Sequence, residues 1–202
     1  MDDHRSEIDA EIIAHAESLG GSVECSEDYF DVNLGSLEIA AEDLRPLAKL
    51  QRPFTLSLLE SQFRDVDLRE LRALQLLTDL ILTFSTVTDR GVKELASQKS
   101  IKSLDLSGDK ITDAALIDLA RMPSLKSLNL SATAITDKGL SKLLASPTLS
   151  DLGLSQTAIT DKALPTLQQF TNLRSLNVQD TKITQAGLDR LKKALPECSV
   201  HS

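Results

Sequence analysis

Asp65, Asp89, Asp113, Asp137 and Asp161 recur at one fixed interval along a chain of 202 residues. Carboxylates in a regular row are a pattern that holds cations. They also suit helix capping, because each follows an inward β-branched or aromatic residue, mostly after Thr88, Thr112, Thr136 or Thr160. The unpaired N–H groups of a first helical turn need an oxygen acceptor there, and the helix dipole favours negative charge. Calcium-binding β-rolls require Gly-Gly-x-Gly-x-Asp, which is absent. Capping is the preferred role.

Other chemistry finds less footing. His4, His15 and His201 lie near the ends, and none has the spacing of a metal-binding pair. No Gly-x-Ser-x-Gly, P-loop or dinucleotide fingerprint occurs. Ser107, Ser131 and Ser155 repeat at the same interval as the aspartates, without a recurring base beside them. No catalytic residue, metal or cofactor is expected, and an enzyme is the least favoured class.

The elements behind these residues follow from the same period. Leu104, Leu106, Ile111, Leu116 and Leu119 reappear one period on as Leu128, Leu130, Ile135, Leu140 and Leu143. The skeleton runs in seven copies from Val32 to Leu191 without a change of register. Apolar residues two apart face one side of a short strand, and those three or four apart face one side of a helix. Neither element buries its apolar side alone, so neighbouring units must stack. The fold class is therefore α/β: a right-handed solenoid with a parallel sheet on its concave face and helices on its convex face.

The stretch LKSLNLSATAITDKGLSKLLASPT, Leu125 to Thr148, resembles a leucine-rich repeat of the ribonuclease-inhibitor-like or cysteine-containing class found in many bacterial proteins. The resemblance covers roughly residues 29–195. It implies an arc that binds other macromolecules and performs no chemistry of its own. Such repeats carry Asn or Cys three residues after the second strand leucine, bonding the backbone of neighbouring coils. Here Ser61, Ser85, Asp109, Thr133, Thr157 and Thr181 stand there, so a hydroxyl ladder is expected, and Leu37 makes the first turn irregular.

Three regions follow: an N-terminal helix–strand cap over 1–28, seven repeats over 29–195, and a C-terminal cap over 196–202. Ile8, Ile12, Ala16 and Leu19 have helical spacing, with Ser6 as N-cap and Gly20-Gly21 as the stop. Pro196 ends the last helix, and Val200 falls where a further strand would cover the sheet edge. Cys25 and Cys198 would lie on the order of 34 Å apart across the stacked strands, too far for a disulfide. Free thiols suit a reducing compartment.

The net charge is −8, and residues 1–50 hold 13 acidic against three basic residues. That balance argues against a nucleic-acid partner, whose phosphates are held by clustered Lys and Arg. A basic partner is the sharper explanation of the acidic end, and solubility the plainer one. No apolar run nears the ~20 residues that span a bilayer. The start, Met-Asp-Asp-His-Arg-Ser-Glu, lacks a secretory profile, so a cytoplasmic setting without membrane contact is expected.

Residues flanking the strand leucines should face the concave side. From them Phe54, Leu59, Asp79, Ile81, Phe84, Asp105, Asn129, Asp151 and Asn177 are the candidates for contact with a partner. Apolar residues at positions that should be wet are the informative exceptions. The expected function is a non-catalytic scaffold that binds an as yet unidentified protein through the concave face. The alternative is self-association through a sheet edge or the acidic cap, with the oligomeric state left open. An F-box adaptor is not supported, since residues 1–28 contain no Leu-Pro-rich three-helix box.

Overall fold

The computed structural model describes residues 2–202, with side chains from residue 7 onward. A first helix, α1 (Asp2–Ser18), lies against the start of a nine-stranded sheet. Its strands are β1 (Ser22–Cys25), β2 (Phe30–Asn33), β3 (Phe54–Ser57), β4 (Leu77–Ile81), β5 (Ser103–Asp105), β6 (Ser127–Asn129), β7 (Asp151–Gly153), β8 (Ser175–Asn177) and β9 (Ser199–His201). They lie side by side in sequence order, parallel from β2 to β9, with β1 antiparallel to β2. The returns on the opposite side are short. They include α2 (Asp89–Leu95), α3 (Leu116–Leu119), α4 (Leu164–Leu167) and α5 (Gln185–Ala194), with 3-10 turns in the other coils.

The repeat register appears directly in the ladder. Leu80, Leu104, Leu128, Leu152, Leu176 and Val200 are successive partners on adjacent strands. Every skeleton position is buried except Ile39 and Ile183, which are only partly so. These two sit in the first and last coils, where one flanking coil is missing. One apolar cluster thus runs from Ile12 to Cys198. Each coil dries its leucines against the next, which is why units this short are stable only in a stack.

After each strand from β2 to β8 the chain turns with a left-handed residue. Ser36, Glu60, Phe84, Ala132, Gln156 and Asp180 have φ between 54° and 58°, and Gly108 has 75°. Non-glycine residues enter this region at a cost of about 1–2 kcal/mol. The inter-coil bond holds them there: Glu60 N–H donates to Thr83 O, Phe84 N–H to Ser107 O and Ala132 N–H to Ser155 O, at 2.8–2.9 Å.

At the N-terminal end α1 stops in a Schellman motif. Gly20, at φ 91°, donates its N–H to Glu17 O, and Gly21 N–H reaches Ala16 O at 3.0 Å. Ser6, expected as the N-cap, lies inside α1, which begins upstream at Asp2. Arg52 ties the cap to the first coil: its Nη2 bonds Asp9 at 2.6 Å and its guanidinium stacks 4.1 Å from the Phe30 ring centre. Cys25 and Cys198 are free thiols on the edge strand β1 and just before the edge strand β9.

Candidate functional site

The recurring aspartates do not cap their own helices. Asp65 accepts Thr88 N–H at 2.8 Å and the Thr88 hydroxyl at 2.7 Å, from the coil that follows. Asp89 does the same to Thr112, Asp113 to Thr136, Asp137 to Thr160 and Asp161 to Thr184. Thr88, Thr160 and Thr184 are the caps, while Thr112 and Thr136 lie a few residues ahead of their helical turns. Their hydroxyls accept from Arg90, Ala114, Lys138, Lys162 and Gly187 N–H at 3.1–3.3 Å. Each Asp is therefore a clamp between coils, with both carboxylate oxygens engaged by protein donors. The two Thr bonds pull the Asp161 carboxyl below the usual range. Among the described residues no group of three His, Cys, Asp or Glu is placed to hold a metal ion.

The expected hydroxyl ladder between coils is also different. Thr133, Thr157 and Thr181 donate to the carbonyl three residues back in their own coil, on Leu130, Leu154 and Val178. A short β-branched hydroxyl finds the nearest carbonyl before it can reach the next coil. One contact in the series crosses: the Ser85 hydroxyl donates to Asp109 Oδ1 at 2.9 Å. Leu37 occupies this position in the first coil and is half-buried there.

The concave face is built from the residues that alternate with the inward leucines. Asp105 Oδ1 takes Ser107 N–H at 2.8 Å, Asn129 Oδ1 takes Ser131 N–H at 3.1 Å, and Asn177 Oδ1 takes Gln179 N–H at 3.0 Å. These side chains close the strand ends as well as face solvent. Asn129 also donates to Asp105 Oδ2 at 3.0 Å, and Asp151 accepts the Ser150 hydroxyl at 2.6 Å. Gly153 opens the centre, since a Cβ there would come within 2.5 Å of Asn129 Oδ1. The result is a shallow polar groove of about 440 Å³ flanked by Ser127, Ser131, Asp151, Ser155, Ser175 and Asn177.

Toward β1 the same face becomes acidic. Antiparallel pairing sets Glu24 opposite Asp31, and Asp79 lies two strands beyond. Asp79 accepts the Tyr29 hydroxyl at 3.1 Å, and Tyr29 also bonds Thr55, so one phenol just ahead of β2 ties β3 to β4. Burial raises the Asp31 carboxyl above its usual range, and the charges of Glu24 and Asp79 raise it further. No lysine or arginine occupies a concave position on any of the nine strands among the described residues.

The apolar candidates divide. Phe54 is 0% exposed and cannot touch a partner: β3 begins two residues before Leu56, so Phe54 shares that leucine's inward face and sits beside Phe30. Leu59 is 36% exposed and Ile81 partly so, a diagonal apart where β3 and β4 end. Phe84 is 60% exposed, but on the left-handed turn beyond the strand, with its ring against Gly108. Glu24 and Tyr29 are not among the residues expected from the sequence, because an antiparallel first strand leaves no trace in the repeat pattern.

The family model described as leucine-rich repeat matches residues 73–96, 121–144 and 171–192. The fold is a leucine-rich-repeat solenoid. Among solved structures, a leucine-rich-repeat protein of Leptospira interrogans is 21% identical, with a TM-score of 0.51, over 82% of this chain and 52% of its own. An internalin of Listeria monocytogenes is 18% identical with a TM-score of 0.49, over 85% of this chain and 60% of its own. The repeats thus span about half to three-fifths of the length of these two proteins. No curated protein matches the chain.

Proposed function

We infer that this solenoid of ribonuclease-inhibitor-like, 24-residue repeats is a non-catalytic scaffold that binds a protein partner through its concave face. One observation carries the reading: Glu24, Asp31, Asp79, Asp105 and Asp151 share a face that holds no Lys or Arg among the described residues, with Leu59 and Ile81 at its N-terminal end. Leucine-rich-repeat domains in general bind proteins. Here a partner segment bearing Lys or Arg, with one apolar anchor, complements the face in charge and in contact. The two free thiols suit a cytoplasmic setting.

A lysine-rich peptide with a central leucine is the first probe. Its amide chemical-shift perturbations should fall on β2 to β7 and weaken steeply as salt is raised. Perturbations confined to the convex helices would sink the reading. Replacing Leu59 and Ile81 together by Asp should lower capture of the native partner at least tenfold while the far-UV spectrum stays unchanged. A second reading is self-association through β9, the edge strand of the sheet among the described residues. A dimer at micromolar concentration in sedimentation would favour it.

A further inference from the structure

From the second coil onward, the series of hydroxyls behind the sheet is broken once, at Asp109. Three later coils place Thr133, Thr157 and Thr181 there, and each supplies an O–H to a main-chain carbonyl. Asp109 is buried more deeply than those threonines, at 4% exposure. Its Oδ1 accepts the Ser85 hydroxyl, and its Oδ2 has no hydrogen-bond partner. A carboxylate cannot donate, so an ionised Asp109 leaves a charged oxygen dry and the position without its O–H. A protonated carboxyl supplies the same group as threonine.

We propose that Asp109 is carried as a neutral acid in the folded chain, and that its ionisation makes the junction of the third and fourth coils a pH-sensitive weak point. The groups around it agree. Ser85, from the preceding coil, is uncharged, and Thr133 holds the same register in the coil that follows. Asp105, on β5, is the charge that acts on it, and it opposes ionisation. Among the described residues no Lys or Arg pairs with Asp109. Burial pushes the carboxyl up to about 7, against the pull of the Ser85 hydrogen bond.

The sign follows from linkage. The folded carboxyl holds its proton more tightly than the unfolded one, so its contribution is complete below about pH 4 and is lost as pH rises toward 7. Between pH 5 and pH 8 the folding equilibrium should fall about a hundredfold on account of this group. Urea unfolding of the wild type and of Asp109→Thr across that range reads the effect, and their difference cancels every other titrating group. The variant should gain stability over the wild type as pH rises. Parallel curves would overturn the proposal. So would a wild-type Asp109 carboxyl carbon that titrates near pH 4 by NMR, a measurement independent of how any variant folds.

Discussion

At the scale of single residues, the Asp–Thr clamp is the main polar device of the molecule. Asp113 serves as the test case, half-buried and bonded to both the amide and the hydroxyl of Thr136 at 2.6–2.8 Å. Replacing it by Ala strands two donors and should lower stability by about 1–3 kcal/mol in urea unfolding. Asn, which keeps one acceptor, should cost less. A loss below about 0.5 kcal/mol, a typical surface change, would deny the clamp its role. The sequence placed these aspartates at the helix starts but hid their partner. Thr and Asp are neighbours in the four coils from Thr88-Asp89 to Thr160-Asp161, so the bond from one coil's Asp to the next coil's Thr runs along a diagonal that a column of repeats conceals. A clue was present: Arg64 replaces Thr in the coil that follows Ala41, where no Asp precedes.

Among the elements, the N-terminal cap departs most from the repeat. Its strand runs antiparallel, and α1 reaches it through two glycines whose spacing allows a close approach. A Cβ at Gly21 would sit 2.4 Å from Leu34 Cδ2 and 2.6 Å from the Asn33 carbonyl oxygen. Backbone cannot yield as a side-chain tip can, so Gly21→Ala should cost about 1–3 kcal/mol. Hydrogen exchange should then show faster opening of α1 and β1 with the central strands little changed; uniform protection would argue that this approach is not tight. The pairing of strand residues one period apart was legible because periodicity fixes which side is dry. The direction of β1 was not, since Val23 alternates identically either way. Phe54 was misplaced for a simpler reason: the alternation of Phe54, Leu56 and Leu58 already marked it as inward, and strand length varies between coils.

For the whole molecule, coupling passes only between adjacent coils. Residues of one clamp touch the next, while Asp65 and Asp161 have no shared partner. Their Asn variants should combine additively within about 0.5 kcal/mol, whereas Asp113 and Asp137 substitutions, on consecutive coils, should not. Additivity in both pairs would mean that the clamps are independent surface contacts. The charge of the molecule is likewise arranged by face: the concave strands carry acids alone, and the arginines pair on the outside, as Arg45 does with Glu70 and Arg72 with Glu94. That separation was beyond sequence reasoning that treated only the first 50 residues as acidic.

The clamp also has a polarity. Each coil from Thr88-Asp89 to Thr160-Asp161 offers a carboxylate forward and a threonine backward, and the final threonine, Thr184, is followed by Gln185 in place of an Asp. Cutting out or inserting one whole period between Asp65 and Thr160 therefore rejoins matching halves, while a half-period leaves two unlike ends. The arc can be lengthened or shortened in whole steps without redesigning any joint.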